Sequence, residues 1–463
     1  MTQNIAPLGI IGLGTMGRNL ALNLADHAVP LVAWERDGAL AARARAELPD
    51  GTIWADDAAD LARRLASPRA VLLMVTAGAA VDAVIAALRP HLEAGDVIVD
   101  GGNTDAVDTA RRQEALAADG IHLIGLGVSG GEEGARRGPA LMAGGDAAAW
   151  DRVAPTLQAV AARAADGTPC CDRLGGGAAG HFVKTVHNGI EYAVMQALAE
   201  AYDLMRHGLS MDVDRIGETF ATWNRGPGGG YLVEIAADVV RTRDSNGAPL
   251  LDKVVDRAGQ KGTGRWASLA ALDLGVAAPS IAEAVFARAV SAARDERQVL
   301  AAKAPEAVQI DPADLEAAFR AATLLSFLQG FVLIAAADAR DGWKVDPVAV
   351  AKVWRAGCIL RAPLLDRLAE AFAGLAPGTH PLAAPSLRAE LAETLPGLRR
   401  TAAAGIGAGY AVPALTSSLS WHDGMVRARV PADFLQGLRD KFGAHTFERL
   451  DAPGNHHADW SGS

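Results

Sequence analysis

Cysteine is scarce: three occur in 463 residues, two adjacent at Cys170 and Cys171 and the third at Cys358. They form neither a disulfide framework nor a metal-ligand spacing, which points to a reducing, cytoplasmic setting and to a site without metal. Aromatic residues make up only 5% against a hydrophobic fraction of 50%, and the heavy use of Ala suits a helix-rich soluble enzyme. No basic-then-apolar leader is present, and no uninterrupted apolar run reaches the roughly 18 residues that span a bilayer. Positive charge is in deficit, with 44 Lys and Arg against 54 Asp and Glu and a net charge of −10. That balance argues against nucleic acid and anionic membranes as partners, while leaving room for a local basic pocket that takes a phosphorylated metabolite. The length exceeds one compact core, so two or three domains are expected.

Leu8 to Ile11 is an apolar run entering Gly12-Leu13-Gly14-Thr15-Met16-Gly17, with a helical pattern and a second apolar run, Val29 to Trp34, behind it. In this strand, turn, helix, strand context the glycines acquire a reading. Gly12 makes the turn, Gly14 admits a pyrophosphate to the backbone, and Gly17 lets helix and strand approach, with phosphates at the helix N-terminus. Further apolar runs at Ala70 to Val75, Val97 to Asp100 and Ile121 to Leu126 continue a parallel doubly wound sheet. Their C-terminal ends carry Thr76-Ala77-Gly78, Gly101-Gly102-Asn103 and Val128-Ser129-Gly130-Gly131, where such sheets bind ligands. Glu35, 23 residues after Gly12, takes ribose hydroxyls and repels a 2′-phosphate, whereas the neighbouring Arg36 attracts that phosphate or stacks on adenine. The two residues favour different cofactors.

The stretch from Gly180 to Tyr192, read as a helix, puts His181, Lys184, Asn188 and Glu191 on one side with Tyr192 at its edge, and Phe182, Val186, Ile190 and Ala193 on the other. A plain solvated face is written in repeated Glu, Lys, Arg and Gln; this one holds an amine, an amide, a carboxyl, a phenol and imidazoles. The preceding Gly175-Gly176-Gly177 allows a backbone or ligand to come close. The stretch therefore reads as an active-site helix. Beyond residue 178 strand signals fade. Trp223-Asn224-Arg225-Gly226 and Trp354-Arg355-Ala356-Gly357 echo each other, suggesting a duplicated helical unit. Between them, Gly259-Gln260-Lys261-Gly262-Thr263-Gly264 resembles an anion-binding turn without the Walker spacing. The Gly, Pro, His and Asp-rich end of the chain is of a kind that is disordered or docks on a partner. His456 and His457 have no second pair of ligands beside them.

Five stretches in order resemble the 6-phosphogluconate dehydrogenase family: the glycine turn, Val128 to Gly134, His181 to Tyr192, Gly259 to Gly264, and Phe442-Gly443-Ala444-His445-Thr446. The resemblance implies an α/β doubly wound dinucleotide-binding domain over 1–177, a large all-α domain over 178–435 and a tail over 436–463 that reaches into the other subunit of a homodimer. It implies oxidative decarboxylation of 6-phosphogluconate to ribulose 5-phosphate, with Lys184 as base and Glu191 as acid. Substrate carboxylate and hydroxyls fall to Asn103, Ser129, Gly130, Gly131, His187 and Asn188. The phosphate falls to Tyr192, Lys261, Thr263 and Arg288, with Arg439 and His445 from the partner. Gly12, Gly14, Thr15, Met16, Gly17, Glu35, Arg36, Val75, Thr76, Ala77 and Asn103 would hold NADP. Glu35 and Thr76 stand where the family commonly has Asn and Lys, which keeps NAD or dual use open, and Lys441 replaces a usual Tyr. The competing readings are a β-hydroxyacid dehydrogenase and a cofactor-binding protein without catalysis.

Overall fold

A computed structural model describes residues 6–260, 262–301 and 303–461. The chain divides into two compact units, Met1–Ser418 and Leu419–Ser463. The first begins with an eight-stranded sheet: β1 (Leu8–Ile11), β2 (Leu31–Trp34), β3 (Ile53–Trp54), β4 (Ala70–Leu73), β5 (Val97–Asp100), β6 (His122–Ser129), β7 (Ala140–Gly144) and β8 (Cys171–Gly175). Their order is β3-β2-β1-β4-β5-β6-β7-β8. Neighbours are parallel except β6 and β7, so the expected all-parallel sheet is a mixed one near that end. Both faces are covered, as the period-two alternation shows: Leu8 and Ile10 enter one core cluster and Ile11 the other, as do Val97 and Val99 against Ile98.

Helices dominate after β8, as the fading strand signals predict. The first, Ala179–Asp203, is seated directly on the sheet. A Cβ at Gly180 would lie 2.4 Å from the Gly125 carbonyl oxygen and 2.5 Å from Gly144 N, and one at Gly127 would lie 2.4 Å from Lys184 Cβ. Gly125 and Gly127 are two apart on β6 and so face the same way; any side chain there would lift the helix away. The amphipathic reading needs revision accordingly, because Ala179 through Ile190 are buried on every side. Gly175 and Gly177 serve backbone approach: Gly176 N donates to the Trp343 carbonyl at 2.7 Å, and a Cβ at Gly177 would meet the Trp343 indole at 2.8 Å.

The Pro312–Asp341 helix is long and apolar enough to cross a membrane by composition, but 78% of its most apolar window is buried. It crosses the Ala179–Asp203 helix where Gly330 faces Ile190 and Val186, the pattern of a core helix.

The Leu419–Ser463 unit contains the Ala432–Gly443 helix and a two-stranded antiparallel pair, β9 (Phe447–Glu448) and β10 (Asn455–His456). Its composition suggests disorder or docking, yet it is organised around the fully buried carboxylate of Asp440. Thr446 N, Ala458 N and Trp460 Nε1 donate to it at 2.9, 3.1 and 2.7 Å, with His457 Nδ1 at 2.9 Å. Burial raises the Asp440 pKa, but the His457, Trp460 and backbone donors outweigh it and hold the group well below the usual carboxylate range.

Candidate active site

The glycine turn has the geometry a dinucleotide requires. Gly12 sits at φ +94°, and a Cβ there would strike the Met74 carbonyl oxygen at 2.6 Å; one at Gly17 would lie 1.9 Å from Gly12 O, whereas one at Gly14 meets nothing. Turn and packing thus use Gly12 and Gly17, and the open side at Gly14 faces the uncapped start of the Thr15–Asp26 helix, whose N–H groups and dipole suit a pyrophosphate. Thr15, Arg36 and Thr76 are exposed, and Met16, Val75 and Ala77 half-buried, where the chain leaves β1, β2 and β4. Glu35 reaches back over this turn: its carboxylate accepts from Leu13 N at 2.6 Å and from Asp37 N at 2.9 Å.

Beyond the β6 end, Lys184 is buried, and desolvation lowers its amine to about 8 against the upward pull of Glu191 and Cys358. At that value about a tenth of the amine is neutral at pH 7. Its Nζ lies 3.5 Å from His187 Nδ1, which is 3.2 Å from Asn188 Oδ1 and 3.9 Å from Glu191 Oε2. His187 Nε2 lies 3.5 Å from Ser129 Oγ. Burial, then the Lys184 charge, holds His187 well below its usual pKa, so it is neutral with one ring proton. That proton on Nδ1 goes to Asn188 and leaves Nε2 to accept from Ser129; on Nε2 it goes to Ser129 and leaves Nδ1 to accept from Lys184. Glu191, partly buried two turns along, is raised by desolvation although Lys184 and Arg288 pull it down.

At the next residue, the Arg288 guanidinium stacks on the Tyr192 ring at 3.4 Å and donates to Gly259 O at 3.1 Å. Gly264 is pressed against the same ring, where a Cβ would come within 2.5 Å, and buried Thr263 begins the Thr263–Asp273 helix. Lys184, His187, Asn188, Glu191, Tyr192, Thr263 and Arg288 therefore form a continuous series, and Ser129 joins it from β6. Asn103 is exposed on the loop after β5, and Gly130 and Gly131, at φ +120° and +64°, turn the chain after β6. Lys261 lies outside the described residues. Arg439 and His445 are exposed in the Leu419–Ser463 unit.

Sequence reasoning missed the support behind this series. The Trp354 ring meets His187 edge-on at 5.3 Å, and its Nε1 points at Met142 Sδ at 3.3 Å. A Cβ on Gly130 would strike the Gly357 carbonyl oxygen at 2.4 Å. The second Trp-containing echo thus packs beneath the Ser129-Gly130-Gly131 turn; its residue types alone signalled repetition, not contact. Cys358, beside Lys184, is pushed up to about 12 by burial and is an inert neighbour of the amine.

Comparison with known proteins covers both parts of the chain. A family described as the NAD binding domain of 6-phosphogluconate dehydrogenase matches residues 7–175, and 6-phosphogluconate dehydrogenase, C-terminal domain, matches 180–460. The decarboxylating 6-phosphogluconate dehydrogenase of Treponema pallidum is 44% identical, with 99% of this chain and 97% of that protein covered. That of Caenorhabditis elegans is 41% identical, with 99% and 97% covered. The 6-phosphogluconate dehydrogenase of Plasmodium falciparum, solved with its cofactor NADP+ and with its substrate 6-phosphogluconate, superposes with a TM-score of 0.93 at 32% identity, covering 98% of this chain and 100% of that one.

Proposed function

The chain belongs to the 6-phosphogluconate dehydrogenase family, and from that premise we propose how its residues convert 6-phosphogluconate to ribulose 5-phosphate and carbon dioxide. The β-hydroxyacid alternative gives way to full-length similarity to decarboxylating enzymes. The observation that carries the mechanism is the buried amine of Lys184, lowered to about 8, on the same helix as a carboxyl raised by burial, Glu191.

Neutral Lys184 takes the proton of the C3 hydroxyl as hydrogen leaves C3 with its electron pair. NADP, when bound, supplies the acceptor for that hydride. The product is a 3-keto acid, and the ammonium of Lys184 then polarises the keto oxygen so that it accepts the electrons of the departing carboxylate carbon. Carbon dioxide leaves, and protonated Glu191 delivers a proton to C1 of the enediol. Ser129, His187 and Asn188 orient the carboxylate and hydroxyls, with Asn103, Gly130 and Gly131 on the rim. Tyr192, Thr263, Arg288 and Lys261 take the phosphate. The test is initial-rate reduction of NADP with 6-phosphogluconate and stoichiometric carbon dioxide release; turnover confined to unphosphorylated 3-hydroxy acids would overturn this reading.

Glu35 sets how strongly NADP is preferred over NAD. Its carboxylate stands where an acid meets the adenosine ribose, and its charge opposes the 2′-phosphate that Arg36 attracts. Glu35→Gln keeps an acceptor for the turn and removes the charge, so the ratio of kcat/KM for NADP to that for NAD should rise about 10- to 100-fold. An unchanged ratio would leave Glu35 as a cap of the turn alone.

The domain limits we propose are 1–177, 178–435 and 436–463, with the helical part a duplication. In support, the Ala179–Asp203 and Pro312–Asp341 helices are each followed by an Asp-capped helix, Val213–Arg225 after Asp212 and Pro347–Val353 after Asp346. The assembly is a homodimer with shared sites in the cytoplasm; its three cysteines are free and buried. Arg439 completes the phosphate site of the partner, so Arg439→Ala should raise KM for 6-phosphogluconate about 10- to 100-fold with kcat little changed. Subunit mixing separates this from a local defect. Hybrids of Arg439→Ala with Lys184→Met contain one complete site and should recover a component with unmodified KM; no recovery would place Arg439 in its own subunit's site.

A further inference from the structure

His181 has no part in the chemistry above, yet it is buried at 1% exposure one turn ahead of Lys184. Its Nδ1 lies 2.7 Å from Thr109 Oγ1, on the helix that follows the Gly101-Gly102-Asn103 loop. Its Nε2 has no hydrogen-bond partner among the described residues, and the carboxylate of Asp100 is close enough to pull the ring's pKa upward against burial. Arg112 presents a second case. At 2% exposure, its Nη1 is likewise unpartnered and stands 3.5 Å from Asp100 Oδ2. Two buried polar groups, from two helices, thus converge on one short segment. Asp100 in turn governs that segment, accepting from Gly102 N at 3.0 Å and from Thr104 Oγ1 at 2.9 Å.

The ring's own seat is rigid. A Cβ on Gly125 would lie 2.8 Å from His181 Nδ1 and 2.9 Å from Thr109 Cγ2, so β6 fixes both groups from below. Burial holds the imidazole below its usual pKa against the pull of Asp100, leaving it neutral with a single proton to place. Thr109 settles where: its hydroxyl donates to Asp105 O at 3.0 Å, which leaves its oxygen to accept from Nδ1–H of the ring.

We propose that His181 is a positioning residue: its hydrogen bond to Thr109 ties the helix that follows the Gly101-Gly102-Asn103 loop to the helix that carries Lys184, and so fixes Asn103 relative to Lys184 as substrate and cofactor bind. The inference rests on the family reading, in which Asn103 meets both ligands. Asn103 lies two residues ahead of Asp105, whose carbonyl the Thr109 hydroxyl holds, and Lys184 one turn beyond His181 on a helix seated on the sheet. A misplacement of about 1 Å in such a frame costs up to about 10²-fold in rate.

Three variants of the full chain test it, by steady-state kinetics with 6-phosphogluconate and NADP and by thermal unfolding. His181→Met retains bulk without a donor and should raise KM for both ligands and lower kcat/KM about 10- to 100-fold. His181→Asn retains a donor near the place of Nδ1 and should recover most of that loss. Thr109→Val, which leaves the ring in place and removes its hydrogen-bond partner, should shift both KM values in the same direction. Kinetic constants unchanged in His181→Met and Thr109→Val, with only a lower unfolding temperature, would make His181 a core residue and overturn the proposal. Should His181→Met fail to fold, Thr109→Val alone decides through its KM values. A lack of 6-phosphogluconate turnover by the unmodified protein would instead overturn the family mechanism.

Discussion

Lys184→Met should lower kcat for 6-phosphogluconate oxidation by about 10³- to 10⁴-fold, because it removes the base of the first step and the ammonium of the second together. Methionine keeps most of the lysine's volume and is at ease in a buried position, so the Ala179–Asp203 helix should stay on the sheet against Gly127. The glycine turn contributes none of its contacts to this side chain, and the affinity for NADP should therefore be retained. The measurement is steady-state reduction of NADP, paired with cofactor titration by protein fluorescence. A loss below tenfold with intact cofactor binding would show that another group removes the C3 proton. The size of the effect follows from the burial: a surface lysine with an ordinary pKa would leave far less neutral amine at pH 7, and its removal would matter correspondingly less.

How far the sequence discloses this arrangement depends on which physics each residue serves. The glycine turn is legible because Gly12, Gly14 and Gly17 serve three different steric needs within six residues. The series from Lys184 to Tyr192 is legible because one short stretch carries it at helical spacing. Strands β7 and β8 are not: Ala140–Gly144 is written in residues that also favour helices, and Cys171–Gly175 carries Asp172 and Arg173 at the end of the sheet. The burial of the active-site helix on every side depends on long-range partners, namely Gly125 and Gly127 below and Gly330 across, and no local periodicity contains them. Trp354 is the clearest instance. Its resemblance to Trp223 can be read from the chain, but its place behind His187 depends on two segments that the fold alone brings together. The tail shows the converse, since Asp440 organises a loop-rich segment whose composition alone suggests no order.

Glu191→Gln should reduce turnover about 10²- to 10⁴-fold, and for a reason that separates it from Lys184→Met. The resting pair, Lys184 ammonium with Glu191 carboxylate, holds the same number of protons as the working pair, neutral amine with protonated carboxyl. Activity therefore follows the singly protonated pair, and kcat/KM should be bell-shaped. It rises as the extra proton leaves on the acid side, a limb displaced upward because burial raises Glu191. It falls on the alkaline side as the last proton is lost near the Lys184 value of about 8. With glutamine at 191 that second limb disappears. Dehydrogenation then needs only neutral Lys184, so its rate should rise with pH to a plateau, with a midpoint below about 8 because Glu191 no longer raises the amine. Since the lost proton transfer comes after oxidation, rapid mixing should reveal a burst of reduced cofactor close to one per site, followed by slow turnover. Lys184→Met should give no burst. A Glu191→Gln enzyme without a burst, or with an unaltered bell, would mean that Glu191 acts before or during hydride loss, and the acid for C1 would have to be sought elsewhere in the site.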